Sequence, residues 1–357
     1  MNITLLITEQ CNLNCQYCYC RKDSLKRMSF DIAKNIIDST CEKLDFETER
    51  LNVLLMGGEP LLEFDLIKKV YSYLSEKIPL GRFNCKTVSN GTLLTQEIKE
   101  WLMENRIQIT ISLDGVDCDH NKFRSESFES IDLDFFKGLN SCTEVNMTIM
   151  PETLNNMAYN VIFLEKLGFR VKTTLAEGVD WSEEQNERIL VEQLKVLMEH
   201  YYTNKSLDPC SILAVATSVV GGEELNTCQA GITSKSYDTL GKEYACHRCT
   251  DLYNKGEWFI PLEKMNLKNI GVFYEDCEDC IAKNICNTCP ASIASLQVNT
   301  EAIKAKCKLQ KAIIYSNAIF HSNLLVNYPE HLFLKKFNGL ELKSIIEGCK
   351  RIIEELN

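Results

Sequence analysis

No stretch of eighteen consecutive apolar residues occurs in the chain, which excludes an ordinary transmembrane helix. A basic n-region and a small-residue cleavage site are missing too. The opening MNITLLIT reads as a strand rather than a signal peptide. Positive charge is in short supply: Lys and Arg number 39 against 50 Asp and Glu, a net charge of −11. That argues against a nucleic-acid coat, which wants a basic face, so no nucleic-acid or membrane partner is expected. Neither a low-complexity linker nor a fixed-period repeat interrupts the chain. What stands in excess is cysteine, eighteen in 357 residues. In a long chain without a secretion signal, this points to metal or redox chemistry in a reducing compartment, and a cytoplasmic location is expected.

Short runs rich in Ile, Val, Leu and Thr alternate with helical periodicity over the first two hundred residues. Strands are expected at 3–8, 51–56, 84–89, 108–113, 144–150 and 170–175. A first helix is expected behind a Ser29 cap, with Ile32, Ile36, Ile37 and Leu44 on one face. Further helices are expected at 62–76, 95–105, 128–140, 155–167 and 182–202. Right-handed βαβ crossovers give a parallel sheet, and six such units make an α/β fold, an open (β/α)6 partial barrel of the TIM type. Chemistry in such folds sits at the C-terminal ends of the strands. The unusual motifs fall there: CNLNCQYC after the first strand, GGEP after the second, SNGT at the third and SLDG at the fourth.

Beyond about residue 205 the strand–helix alternation is expected to stop and cysteines crowd in. The expected division is a partial barrel over 1–205, a Cys-rich domain over 206–310 and a helical C-terminal tail over 311–357, the apolar QKAIIYSNAIFHSNLL marking its start. Outside the motifs, Cys41, Cys85 and Cys142 lie near apolar helix faces or strands and read as packing residues.

Cys11, Cys15 and Cys18 are spaced C-x3-C-x2-C. Neighbouring cysteines on one loop seldom reach disulfide geometry. A structural zinc site wants four closed ligands, and Cys20 is at hand to complete one. Three thiolates on a short loop also suit an iron–sulfur cubane, leaving its fourth iron open.

At these residues the chain resembles the radical S-adenosylmethionine (radical SAM) enzymes. The resemblance implies that Cys11, Cys15 and Cys18 hold a 4Fe–4S cluster whose open iron binds the amino and carboxylate groups of SAM. One electron then cleaves SAM to methionine and a 5′-deoxyadenosyl radical that takes hydrogen from substrate. By the same resemblance Tyr17 lies against adenine, and Gly57, Gly58 and Glu59 form the site for the methionine amino group. Asn90, Ser112 and Asp114 stand where relatives contact ribose or carboxylate, and Arg124 where relatives pair with the SAM carboxylate. Ordinary readings exist for each: a tight turn for the glycines, loop capping for Asn90, Ser112 and Asp114, a solvated charge for Arg124.

The later cysteines, Cys228-x12-Gly241-x4-Cys246, then Cys277-x2-Cys280-x5-Cys286-x2-Cys289, then Cys307, resemble the SPASM domain. This is a C-terminal extension of radical SAM enzymes that mature peptides and proteins. Here the Cys286–Cys289 gap is two residues where the SPASM pattern has three. The resemblance implies two auxiliary 4Fe–4S clusters, three clusters in all. One would be held by Cys277, Cys280, Cys286 and Cys307, the other by Cys228, Cys246 and Cys289. The last lacks an assigned fourth ligand: Cys249, Cys210 or an open iron would serve.

In the sulfatase-maturing branch an Asp base follows the cysteine matched by Cys246. Here that residue is His247, which disfavours sulfatase maturation. CHR and LAEGVDWSEEQ resemble instead the ribosomal-peptide maturases. The expected function is hydrogen abstraction from a precursor peptide or protein and formation of a side-chain crosslink, a Cys thioether first among them. His247, Cys249 and Cys20 are the candidate catalytic residues, with a hydrogen bond beside the cluster the plainer role for His247. The rivals are oxidation of a residue, epimerisation, and a non-catalytic zinc-stapled scaffold. A flavodoxin or ferredoxin is the expected electron donor. Many peptide maturases begin with a winged-helix leader-binding domain, whereas this sequence opens on a strand. A separate leader-binding protein, another surface, or a substrate without a leader is therefore expected.

Overall fold

The computed structural model describes residues 1–18, 20, 24–217, 230–250, 252–253, 277, 279–286, 288–289 and 300–356. In chain order the strands are β1 (Asn2–Thr8), β2 (Leu51–Gly57), β3 (Phe83–Ser89), β4 (Gln108–Ser112), β5 (Glu144–Ile149), β6 (Arg170–Leu175), β7 (Ser234–Tyr237) and β8 (Glu243–Tyr244). The helices are α1 (Phe30–Cys41), α2 (Phe64–Lys77), α3 (Gln96–Glu104), α4 (Asp117–Phe123), α5 (Leu133–Gly138), α6 (Met157–Lys166), α7 (Gln185–Thr203), α8 (Thr300–Asn327) and α9 (Gly339–Leu356). The β1-to-β6 alternation is the α/β partial barrel that the sequence predicts.

Two compact units divide the chain. The first comprises Met1–Asn146, Leu167–Phe169 and Gln229–Leu267; the second comprises Met147–Lys166, Arg170–Cys228 and Lys268–Asn357. In the first unit β1, β2, β3 and β4 are successive parallel neighbours, and β4 pairs with the opening residues of β5. Leu5, Leu6, Ile7, Leu51, Leu55 and Ile111 are wholly buried along these strands, because helices cover a parallel sheet on its faces. Ser29 caps α1 and Thr95 caps α3, each accepting from the backbone N–H three residues on. At the N-terminal ends of the strands an asparagine ladder runs across the sheet. Asn84 donates to Asn52 (2.8 Å), Asn52 to Asn2 (2.7 Å) and Asn2 to Ser234 Oγ (3.2 Å).

Beyond residue 205 the strand–helix alternation gives way to two short consecutive strands. β7 lies parallel to β1, with Ile3 opposite Lys235, and β8 returns antiparallel to β7. These strands have four and two residues, and SKSY offers no apolar alternation to find. Nor does one helix cover 128–140: a 3-10 turn at Phe128–Ser130 precedes α5, which Asp132 caps by accepting from Phe135 N–H. The seven-residue α4, DCDHNKF, has no helical apolar stripe and no counterpart in the sequence reading.

In the second unit β6 lies beside β5. Its core is helical. Leu190, Leu194, Leu197 and Tyr201 of α7, Ile314, Ala318, Phe320 and Leu324 of α8, and Ile345 and Ile352 of α9 are buried. Tyr202 stacks on Tyr328, centroids 5.0 Å apart. Asn317 ties the chain near residue 213 to α8, accepting from Val215 N–H and donating to the Ile212 carbonyl. No helix among the described residues is long and apolar enough to cross a membrane.

Candidate active site

The cysteine loop leaves the C-terminal end of β1, and the neighbouring strand ends hold it. Gly58 N–H donates to the Thr8 carbonyl (3.0 Å) and Glu59 N–H to the Gln10 carbonyl (2.7 Å). A Cβ on Gly57 would stand 1.9 Å from the Thr8 oxygen, and one on Gly58 would stand 2.0 Å from the Gln10 oxygen. Both glycines are therefore required by the backbone contact that seats the loop, whatever ligand they also meet.

Glu59 is buried. Its carboxylate accepts from Leu61 N–H (3.1 Å), Ser89 Oγ (2.8 Å) and Asn90 N–H (2.7 Å), joining β2 to β3. Burial raises its pKa against those three bonds. Glu59→Gln cannot serve all three donors, since its amide nitrogen must face one of them. That substitution is expected to cost about 1–3 kcal/mol, measurable by denaturant unfolding.

A ring of hydrogen bonds fastens the loop to β3. Asn90 Nδ2 donates to Asn12 Oδ1 (2.8 Å), Asn12 Nδ2 to Thr92 Oγ1 (2.9 Å), and Thr92 Oγ1 to Asn90 Oδ1 (2.8 Å). The far side of the loop rests on the end of α4. Gln16 N–H donates to the Phe123 carbonyl (2.9 Å), its side chain to the Lys122 carbonyl (3.0 Å), and Asn14 N–H to Ser125 Oγ (2.9 Å). Ser125 and Glu126 have φ of 55° and 53°, left-handed values that cost a non-glycine residue about 1–3 kcal/mol. The grip on the loop is made in part from that strained turn.

Asp114, just beyond β4, receives Arg124 Nε (2.7 Å), Arg124 Nη2 (3.1 Å) and Tyr17 Oη (2.5 Å). Acid and guanidinium are both buried. Arg124 also lies over the Tyr17 ring, 5.2 Å from its centroid. Burial works against the Arg124 charge, but Asp114 and then Tyr17 outweigh it and the pKa is raised. The Tyr17 hydroxyl is pushed well up, first by burial. Arg124 is thus a buried ion-pair partner rather than a solvated charge. Ser112 ends β4, half-buried.

Cys11 is exposed and Cys15 and Cys18 half-buried. Partial desolvation of the Cys11 sulfur raises its pKa, the Leu13 N–H lowers it, and Glu59, Cys15 and Cys18 raise it again. These three accessible thiols on one pinned loop suit a cluster with an open iron. Among the described residues no three His, Cys, Asp or Glu side chains close to the spacing of a single metal ion. A cubane makes no such demand, since each thiolate takes a different iron. Cys20 packs instead on the apolar cluster of Leu6, Leu252 and Tyr253.

The later cysteines fall in both units. In the first unit Cys246 and Cys249 share a 3-10 turn, Cys249 N–H donating to the Cys246 carbonyl (2.9 Å). His247 Nδ1 stands 3.7 Å from Cys246 Sγ, and its ring meets Tyr253 edge-on at 5.2 Å. In the second unit Cys280 N–H donates to the Cys277 carbonyl (3.3 Å). Burial raises the Cys307 thiol, Lys311 lowers it, and Cys280, Cys286 and Cys277 raise it, so Cys307 lies within reach of the charge of the other three. Cys289 is half-buried, and Cys228 lies outside the described residues. Cys210 is buried, its thiol pushed up to about 12 by desolvation.

Sequence reasoning missed Thr8, Asn12, Ser89, Thr92, His120 and Ser127; the first four hold the site through partners 30 or more residues away, His120 and Ser127 through partners six and seven residues away. His120 is wholly buried and accepts from Asp114 N–H at Nδ1 (3.3 Å).

Residues 5–158 match the model of the Radical SAM superfamily. The uncharacterized protein MJ0907 of Methanocaldococcus jannaschii is 32% identical over 178 residues, covering 50% of this chain and 59% of the relative. The chain therefore spans less than two thirds of the curated relatives it first matches. Among solved structures, anSMEcpe with bound AdoMet shares the fold with a TM-score of 0.68 at 15% identity, covering 97% of this chain and 98% of the other. Streptococcus suis SuiB bound to precursor peptide SuiA has a TM-score of 0.57 at 14% identity, covering 84% and 74%.

Proposed function

We propose that the chain, whose residues 5–158 match the Radical SAM superfamily model, is a radical SAM maturase that abstracts hydrogen from a ribosomally made peptide or protein and forms a side-chain crosslink, a Cys thioether. The observation that carries this reading is the convergence of Cys11, Cys15, Cys18, Glu59, Asn90, Tyr17, Asp114 and Arg124 at the C-terminal ends of β1 to β4. Its fold likeness to a structure holding a precursor peptide and the replacement of the sulfatase-type carboxylate by His247 support the choice of substrate and product.

When bound, a cluster on Cys11, Cys15 and Cys18 supplies the electron for SAM cleavage and hydrogen abstraction. The chain's own residues do the holding. Gly57 and Gly58 expose backbone beside the loop, and Glu59 sets a negative charge near Cys11 that suits an ammonium. Asp114 fixes the Tyr17 ring and the Arg124 guanidinium, a flat apolar face and a cation suited to adenine and carboxylate. In the auxiliary set, Cys277, Cys280, Cys286 and Cys307 hold one cluster. Of the cysteines left for the other, Cys246 and Cys249 share one turn of the first unit and would both serve as ligands. His247 hydrogen-bonds the Cys246 sulfur rather than touching substrate. A flavodoxin- or ferredoxin-type donor in an anaerobic cytoplasm would reduce these clusters.

Product mass tests the reading. Anaerobic reaction with a cognate peptide is expected to remove two hydrogens per event and to protect one Cys from alkylation. An unchanged mass would mean epimerisation, and a two-hydrogen loss with every thiol still alkylated would mean oxidation; either overturns the crosslink.

A further inference from the structure

His120 takes no part in the roles assigned so far, yet it sits behind Asp114, the carboxylate that Tyr17 and Arg124 share. Its ring is wholly buried between Asp114 and Ser127 and meets Phe128 edge-on at 5.6 Å. Asp114 N–H donates to Nδ1 (3.3 Å). That contact fixes the tautomer: Nδ1 is the acceptor, so the ring proton is on Nε2 and faces Ser127 Oγ at 3.1 Å. Burial, with Arg124 beside it, lowers the imidazole pKa to about 4, consistent with a neutral ring.

The contact controls more than one residue. Asp114 is the common anchor of Tyr17 and Arg124, and Tyr17 lies between Cys15 and Cys18. Arg124 follows α4 directly, and the loop residues Asn14 and Gln16 hang from the same turn. A shift in the Asp114 backbone therefore moves the aromatic ring and the cation together, while the cysteines keep their separate ties to β2 and β3 through Gly58, Glu59 and Asn12.

We propose that His120 is a positioning residue for SAM, whose neutral imidazole fixes Asp114 and through it aims Tyr17 and Arg124 beside the cysteine loop. It touches neither cluster nor ligand. The proposal rests on the radical SAM reading of the site and predicts a separation of two properties that a general structural role would move together: cluster content and SAM affinity.

The test uses cluster-reconstituted holoenzyme, with iron counted per chain and SAM affinity measured by equilibrium dialysis. His120→Phe fills the ring volume without an acceptor and is expected to keep wild-type iron while weakening SAM binding about tenfold, the scale of one buried hydrogen bond. His120→Asn, whose Oδ1 can accept from Asp114 N–H, is expected to recover most of that loss. Unchanged SAM affinity in His120→Phe would overturn the proposal and leave the proposed function intact. Iron loss matching the loss of SAM binding in both variants would also overturn it, by making His120 a folding residue. Failure of the wild type to bind SAM would overturn the proposed function itself.

Discussion

Replacing Cys11, Cys15 or Cys18 with alanine is expected to abolish 5′-deoxyadenosine formation and to remove about four of about twelve irons per chain. The three thiols are accessible and share one loop whose backbone is tied to Glu59, Phe123 and Ser125, with a single long bond to a sulfur, from Leu13 N–H to Cys11 Sγ (3.5 Å). Losing one thiolate therefore takes away a ligand without releasing the loop. The auxiliary cysteines are remote in sequence and should keep their iron. Cys20→Ala is the matched control. Its side chain packs on Leu6, Leu252 and Tyr253, so it is expected to keep both iron and product. Iron counts on anaerobically reconstituted protein and chromatography of the nucleoside product decide the matter. Product from any of the three variants would refute the role of this loop.

Gly58→Ala is expected to be severely damaging to the first unit. Its Cβ would stand 2.0 Å from the Gln10 oxygen, 2.4 Å from the Gln10 carbonyl carbon and 3.0 Å from Cys11 N. Those are backbone atoms, so no side-chain rotation relieves the clash. Either β2 withdraws and breaks the Glu59-to-Gln10 bond, or Cys11 moves. A cost of about 2–4 kcal/mol is expected, with loss of iron from the first site. Gly138→Ala provides the contrast. It ends α5, and a Cβ there meets nothing within 4 Å, so stability should change by no more than about 1 kcal/mol. Equal unfolding midpoints for the two variants would show that the β1–β2 contact is not tight.

The barrel strands were legible because each is a short apolar run between turn residues. All six expected strands agree with the structure to within a residue at either end. What could not be read was whatever lacks such a run. β7 has only Ser236 and Tyr237 buried, and α4 spells DCDHNKF. C-terminally, α8 starts at Thr300, before the apolar QKAII stretch announces a helix, because its first turns carry alternating charge. The site divides the same way. Cysteine spacing, Gly-Gly-Glu and SLDG were visible because their residues are close in sequence. The pairing of Asn12 with Asn90, of Asn14 with Ser125 and of Ser89 with Glu59 spans 78, 111 and 30 residues, and no local pattern encodes it. Arg124 shows the difference sharply. Its motif position was visible, but its burial against Asp114 emerges only when β4 and α4 fold together.

The central claim is that the Cys11–Cys18 loop carries an iron–sulfur cluster whose open iron takes SAM. The most direct measurement is the electron paramagnetic resonance spectrum of the anaerobically reduced protein, recorded with and without SAM. In the wild type, a reduced 4Fe–4S signal that changes on adding SAM is predicted, and the Cys15→Ala protein should lack that response while retaining its auxiliary signals. A reduced wild-type spectrum indifferent to SAM would contradict the account.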